Sequence, residues 1–404
     1  MQYETPIAMD QLTRFFTEAL DLTNLHAVPH GMQSFFGNPA TGGRTRYVTD
    51  AKTLEFDVRD GVQDVTTLVH RGVTGSILNK AKLIGGKFTS FNRAFPLGED
   101  EGIVSADQIL ERGFNESVGQ VATRIDRMRN LSRDIIFEMV RRAIRTQERL
   151  AWQMLRVGKM DTIIGTSSAD EQIDTKRAAA HTFSPSATWA NAATSILTDL
   201  DGMCDLVVKD GGMVPDMMIA GSLIPGYIEK NTEILARANV KGAETSGFSV
   251  TWIGENVKVT AEFTRMVENG FNPIARIRTP RGRTITVFTY EGGYVTSGTF
   301  YPFITTDHVV LCSSQARCDR YFGPPERLPM TTQDRTDYAE IFGFPPESTP
   351  MPPNVPSTDV IAPAEFYFDA RRAQDGKSLI LRCQWAPVYI AVDTHAFVYC
   401  DTVP

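Results

Sequence analysis

The sequence predicts an α+β fold organised around one long helix. Three observations lead there: apolar residues at helical spacing from Val118 to Val157, glycine-broken strand-like runs before it, and mixed helical and strand-like runs between Ser186 and about Cys312 after it. Length and composition fit that class. At 404 residues the chain has room for about two or three domains, and 42% hydrophobic, 22% charged and 9% aromatic residues are the proportions of a globular protein, which excludes disorder as its main state.

Charge and cysteine usage narrow the function classes. Lys and Arg number 41 against 48 Asp and Glu, a net charge of −7, so the surface as a whole is not basic enough to hold nucleic acid by neutralising phosphates, and any such role is local. Five cysteines (Cys204, Cys312, Cys318, Cys383 and Cys400) are scattered, with neither CxxC nor zinc spacing, which predicts reduced thiols in a cytosolic setting. The opening residues show neither a basic n-region nor an apolar h-region. No stretch approaches about eighteen uninterrupted apolar residues, so neither a secretory signal nor a membrane span is expected.

In chain order, residues 1–46 predict a short amphipathic helix, capped by Asp10 and carrying Leu12, Phe15, Phe16 and Leu20, followed by an extended arm. From His26 to Arg46, Pro29, Gly31, Gly37, Pro39, Gly42 and Gly43 lie too close together for regular structure. From Tyr47 to Leu97, β-like runs at Thr53–Val58 and Val65–Val69 predict a long hairpin. Its tip, Gly72–Lys87, sets Lys80, Lys82 and Lys87 beside Ile77, Leu78, Leu83 and Ile84. A lone hairpin cannot bury such side chains, so the tip implies a partner.

The long helix carries Val121, Ile125, Met128, Leu131, Ile135, Met139, Ala143, Leu150, Met154 and Leu155 on its apolar stripe, and Gly158 stops it. About forty residues make a rod near 60 Å, a scaffold element that others lie across. Arg124, Arg127, Arg129, Arg133, Arg141, Arg142, Arg145, Arg149 and Arg156 face Asp126, Asp134, Glu138 and Glu148, a local excess of five positive charges on an acidic protein. That face reads either as ion pairs on a solvated surface or as a lining toward nucleic acid.

After a polar stretch (Thr166–Pro185), the pattern predicts a helix over Ala187–Val208 ending at Asp210-Gly211-Gly212, a strand at Asp216–Ala220 and a helix near Ser222–Ala238. Strands follow at Asn256–Phe263, Ile274–Arg278, Thr284–Tyr290 and His308–Cys312. Gly323–Pro363 holds ten of the 22 prolines and reads as a surface excursion, since proline lacks the donor a sheet needs. A hairpin, Glu365–Arg371 and Ser378–Trp385, turns through Gln374-Asp375-Gly376-Lys377, and a strand-rich segment, Val388–Tyr399, ends the chain.

Catalytic and ligand motifs are sought in vain. Gly85-Gly86-Lys87 lacks both the leading glycine (Ala81 stands there) and the following Ser or Thr of a P-loop. His26 and His30 are separated by Pro29, which denies them one helix face, and the six histidines show no local grouping with acids. No GxSxG occurs, Cys312 and Cys318 read as buried small hydrophobes, and the tip lysines read as solubilising charges. No catalytic residue, cofactor or metal is expected.

The order of elements then carries a resemblance. An arm, an unsupported hairpin, a spine-like helix, a compact α+β region and a late hairpin resemble the tailed-phage major capsid proteins of Hong Kong 97-like fold, and local sequence is similar to the lambda-type major head protein family, capsid protein E. The run Ile125–Lys159 ending LRVGK resembles that family's spine helix. Thr286–Gly323, with VFTYEGGYV and then SSQARCDRYFG, resembles its β run and following QARxxRxYG-like segment, and Ala386–Thr402 its terminal strands.

The resemblance implies an N-terminal arm at 1–46, an E-loop at 47–98, a P-domain at 99–160 and 364–385, an A-domain at 161–322 and 386–404, and the excursion at 323–363. It implies a shell of hexamers and pentamers enclosing double-stranded DNA held by non-specific electrostatics, assembled in the host bacterial cytoplasm. A portal, a separate scaffolding protein (no long helical segment precedes the arm) and a decoration protein are the expected partners, and no membrane. Intersubunit contacts fall to the tip residues Ile77, Leu78, Lys80, Lys82, Leu83, Ile84 and Lys87 and to Gln374, Asp375, Gly376 and Lys377. Arg124, Arg127, Arg133, Arg141, Arg145 and Arg149 form the basic face of the spine. An encapsulin-like nanocompartment and a soluble enzyme are the alternatives.

Overall fold

The computed structural model describes residues 31–36, 47–48, 53–59, 88–94, 98–105, 124–161, 172–238, 250–252, 270–290, 292–296, 298–323, 366–372 and 378–403. In chain order these form helix α1 (Gly31–Ser34), strands β1 (Tyr47–Val48), β2 (Thr53–Arg59), β3 (Phe88–Ala94) and β4 (Gly98–Ser105), and the long helix α2 (Arg124–Val157). Then come β5 (Lys159–Asp161), β6 (Gln172–Asp174), β7 (Thr182–Phe183), α3 (Ile196–Leu206), β8 (Met217–Ala220), α4 (Ile224–Lys230) and α5 (Thr232–Ala238). Strands β9 (Val250–Trp252), β10 (Phe271–Arg278), β11 (Thr284–Tyr290), β12 (Gly293–Thr296), β13 (Thr299–Pro302), β14 (His308–Cys312) and β15 (Cys318–Phe322) follow. The chain closes with β16 (Tyr367–Arg372), β17 (Ser378–Trp385), β18 (Pro387–Ala391) and β19 (Phe397–Asp401).

Helix α2 has 34 residues, about 51 Å at 1.5 Å per residue. Its buried positions begin as Ile136, Met139, Val140, Ala143, Gln147 and Glu148, in steps of one, three and four as for one helix face against a core, and widen at the C-terminal end to Leu150, Ala151, Trp152, Met154 and Leu155. Gly158 ends the helix as expected: its φ of +71° is open to glycine at little cost, and its N–H donates to the Met154 carbonyl at 2.9 Å. The last carbonyls are taken by a side chain from beyond β6. The Arg177 guanidinium donates from Nη1 to Leu155 (2.8 Å) and Arg156 (3.0 Å) and from Nη2 to Met154 (3.0 Å).

The centre is a seven-stranded mixed sheet in the order β7-β19-β14-β8-β11-β10-β9. Successive side chains alternate between two cores, as strand geometry requires. Met218, Ala220, Ile285, Val287, Val309, Leu311, Val398 and Cys400 meet α3, α4 and α5 on one face. Met217, Ile219, Phe288, Tyr290, Val310, Cys312, Phe397 and Tyr399 meet the C-terminal half of α2, α1 and β18 on the other. The apolar run of β14 and the β-branched and aromatic run of β11 make both strands legible in sequence to the residue. Further small sheets are β1-β15-β18, β16-β17-β4, β2-β3, β12-β13 and β5-β6.

Several sequence expectations are corrected. The helix expected over Ala187–Val208 starts only at Ile196, because polar side chains before it hold turns: Thr194 Oγ1 donates to the Thr188 carbonyl at 2.7 Å and Asn191 Oδ1 accepts from Ala193 N–H at 3.1 Å. The helix expected near Ser222–Ala238 is two, α4 and α5, broken at Asn231. The polar stretch Thr166–Pro185 contains β6, β7 and the buried Ile173, Thr175 and His181. In the arm, Gly31–Ser34 forms a helical turn where none was expected. The amphipathic helix near Leu12, the runs Val65–Val69 and Asn256–Phe263, and the proline-rich stretch beyond Gly323 lie outside the described residues.

Candidate functional site

Three segments distant in sequence meet at Glu148 of α2. Its carboxylate is fully buried and accepts from the backbone N–H of Met32 (Oε1, 2.6 Å) and Gln33 (Oε2, 3.2 Å) in α1 and from the Tyr290 hydroxyl of β11 (Oε1, 2.6 Å). The Tyr290 oxygen in turn accepts from Gly31 N–H at 3.3 Å, and Gln33 Nε2 donates to the Ile144 carbonyl at 3.1 Å. A four-residue helix cannot nucleate alone. Here a carboxylate satisfies two of its first amides, which explains an ordered turn amid glycines. Gly31 is needed for approach: a Cβ there would run into the rings of Phe271 and Tyr290. Phe35 and Phe36 pack edge-on against Phe271 (5.7 Å) and Tyr389 (5.1 Å), so the arm is stapled to spine and sheet together. Desolvation pushes the Glu148 carboxyl up to about 7, against the hydrogen bonds that favour its charged form.

The near half of α2 lies against β4, the outer strand of the β16-β17-β4 sheet, where Arg142 reaches Asp100 at 3.0 Å. Within that sheet Arg382 bonds Glu99 (3.0 Å) and Glu101 (3.2 Å), and Gln384 Nε2 donates to Glu99 at 2.9 Å. Strand β17 carries the register of both its neighbours, Arg382 opposite Glu101 on one side and Asp369 on the other. The SSQARCDRYFG run is held equally firmly. Arg317 grips the buried Asp319 through Nε and Nη2, and β15 pairs with β18 from Cys318↔Ala391 to Phe322↔Pro387.

Of the expected site residues, the E-loop tip (Ile77, Leu78, Lys80, Lys82, Leu83, Ile84, Lys87) and the late-hairpin tip (Gln374, Asp375, Gly376, Lys377) lie outside the described residues. Their bounding strands are paired in antiparallel register, Arg59↔Phe88 and Arg372↔Leu379. Arg124, Arg127 and Arg133 fall within α2. Arg141 and Arg145 both reach Glu138, at 4.0 and 3.7 Å, and Arg149 lies over the Tyr294 ring at 5.1 Å. The described part of the basic face is thus laced by its own acids and by β12. The sequence reading set Glu148 among the acids of the charged face, and the structure corrects this: Glu148 is buried on the core side, where the amides of α1 and the Tyr290 hydroxyl satisfy it. Arg177 gave no sequence signal.

The histidines expected to be ungrouped do meet acids. His181 is buried with Nε2 3.1 Å from Asp210 and Nδ1 2.9 Å from the Phe397 carbonyl, so both ring nitrogens serve the fold. His308 stands between Asp307 and Asp401, and burial holds its imidazole below the usual histidine range. The five cysteines are free and buried, with burial pushing Cys204 and Cys400 up to about 12 and Cys312 and Cys318 well above the usual thiol value, which makes them inert. Among the described residues no helix is long and apolar enough to cross a membrane.

One surface is apolar without being covered. The β12-β13 hairpin exposes Val295 (64%), Phe300 (60%) and Tyr301 (46%). Clustered exposure of large apolar side chains marks a contact surface.

Comparisons with known proteins agree with this geometry. The family described as phage major capsid protein E matches residues 27–246, more than half of the chain. A prophage capsid protein from Escherichia coli CFT073 is similar in structure at a TM-score of 0.59 and 13% identity, covering 99% of this chain and 100% of that one. A phage-related protein of Bordetella bronchiseptica RB50 follows at 0.46 and 9%, covering 96% of each chain, and an encapsulin of Synechococcus elongatus PCC 7942 at 0.39 and 10%, covering 89% of this chain and 84% of that one. No curated protein matches the sequence.

Proposed function

The chain belongs to the phage major capsid protein E family, and we propose that it closes, as hexamers and pentamers, into the icosahedral head of a tailed bacteriophage around double-stranded DNA. Its fold is the α+β Hong Kong 97-like capsid fold. The observation that carries the reading is the family match together with a fold likeness that spans 99% of the chain. In this reading 1–46 is the N-terminal arm, 47–98 the E-loop, 99–160 and 364–385 the P-domain, 161–322 and 386–404 the A-domain, and 323–363 an excursion on the exposed face.

Physical features support it. Elements with spare apolar surface, such as the β12-β13 hairpin, gain by burial between subunits, and many weak contacts add through multivalency. A net charge of −7 suits a wall that contains DNA without gripping it, the contact being left to local basic surface such as the α2 arginines. Buried, unreactive thiols suit assembly in the reducing host cytoplasm. A portal, a separate scaffolding protein and a decoration protein are the partners of this reading. The role in this reading is structural, and the His181–Asp210 pair, with the second ring nitrogen on the Phe397 carbonyl, serves the packing.

The hairpin offers the test. Replacing Phe300 and Tyr301 together by Ser is expected to change the stability of the isolated chain by no more than about 0.5 kcal/mol, as for exposed sites generally. Particle yield in sedimentation should fall sharply. Unchanged yield would remove this surface from the assembly contacts, and a chain that sediments as a small discrete oligomer under every condition, scaffold included, would overturn the reading itself.

A further inference from the structure

Strands β14 and β19 run antiparallel with His308 directly opposite Asp401, and Asp307 immediately precedes β14. His308 Nε2 is 3.7 Å from Asp401 Oδ2 and 3.8 Å from Asp307 Oδ1, and one ligand-capable atom of each residue lies within 4.8 Å of the other two. These separations are too long for hydrogen bonds. Donors held about 2.0–2.2 Å from a shared tetrahedral ion lie about 3.4 Å apart, so closing by a few tenths of an ångström would bring all three into coordination.

The surroundings are those of a prepared ligand set. His308 Nδ1 is 2.9 Å from the Tyr399 oxygen, and with Nδ1–H donating there, the Nε2 lone pair is turned to the two carboxylates. The Asp307 backbone is pinned through its carbonyl, which accepts from Thr402 N–H at 3.1 Å and from the Thr402 hydroxyl. Asp307 Oδ1 is shielded from solvent and accepts no hydrogen bond, an uncompensated acceptor in need of a cation. The cation facing the group is Arg156, in the last turn of α2, with its guanidinium 5.5 Å from the Tyr399 ring.

We propose that Asp307, His308 and Asp401 bind one divalent transition-metal cation of the zinc type, clamping the start of β14 to the end of β19 beside the C-terminus of the spine helix. The set supplies one neutral imidazole and two carboxylates, whose two negative charges balance the ion, and the mixed nitrogen and oxygen donors suit zinc better than calcium or magnesium. Three protein ligands leave a fourth position for water or for a donor from a neighbouring chain.

The test uses the full chain, stripped with a chelator and titrated with ZnCl₂ at neutral pH. One zinc per chain is expected by elemental analysis, with a raised melting temperature and an absorption-edge spectrum showing nitrogen and oxygen ligands without sulfur. Asp401→Asn should weaken binding by about 10-fold or more and abolish the melting shift, while Tyr399→Phe, which disturbs only the partner of Nδ1, should weaken it within about 10-fold. Asp401 is partly exposed at a strand end, so its amide variant is expected to keep the native circular dichroism. Absence of zinc uptake, uptake equal in Asp401→Asn, His308→Gln and the parent chain, or sulfur ligation would each overturn the assignment. Particle formation by an apo chain would leave the capsid reading intact, so the two claims fail separately.

Discussion

Arg177→Met is expected to destabilise the folded chain by about 3–4 kcal/mol, read as a lower midpoint of chemical denaturation. The guanidinium is the cap of a 34-residue helix, serving three of its last carbonyls, and it also lies 5.4 Å over the Phe397 ring. Methionine keeps the length of the stem and its packing but donates nothing, so the Leu155 and Arg156 carbonyls lose their side-chain donor, while the Met154 carbonyl keeps the Gly158 N–H. Burial lowers the Arg177 pKa only to about 10, so the charge complementing the negative helix end is present at neutral pH. Arg177→Lys should recover roughly half of the loss, since an ammonium keeps the charge without the fork. A methionine variant within about 0.5 kcal/mol of the parent would show that Gly158, whose carbonyl accepts from the Thr175 N–H (2.9 Å) and hydroxyl (2.8 Å), suffices to close the helix.

Glu148→Ala should release the arm. It strands two amides of α1 and the Tyr290 hydroxyl and leaves a void in the core, a combined cost of about 3 kcal/mol. Limited proteolysis should then cut near Met32 at least 10-fold faster, without global unfolding. The pH dependence has a definite sign. The folded-state pKa of about 7 lies above the unfolded value of 4.5, so the neutral acid is the form the fold favours. The contribution is full below about pH 4.5 and is lost as pH rises through about 7, roughly 3 kcal/mol at most. Melting of the parent chain should decline between about pH 4.5 and 7 and level off above, and Glu148→Gln, which stays neutral, should flatten that decline. An identical slope in both proteins would mean that the carboxylate is charged throughout.

What the sequence made legible was whatever repeats locally. The apolar stripe of α2, its stop at Gly158, and the runs of β11 and β14 are written in consecutive residues, because helix and strand periods need no knowledge of the partner. What it hid was long-range. The α1 turn exists because Glu148, 116 residues away from Met32, satisfies its amides, so the glycines of the arm pointed the wrong way. Arg177 has no local pattern at all, and the polar residues before Ile196 could equally have been a helix surface. The grouping of His308 with Asp401 depends on the register of β14 against β19, which nothing in either strand announces. The α2 arginines were visible as a face, yet their use by Glu138, Asp100 and Tyr294 was decided by geometry.

The most direct measurement of the central claim is electron microscopy of the purified chain, alone and co-expressed with a candidate scaffolding protein. A closed icosahedral shell with pentameric vertices and hexameric faces, its wall fitted by the α2 spine and the seven-stranded sheet, is the expected image. Monomers or small discrete oligomers in both preparations, with no closed particles, would contradict it.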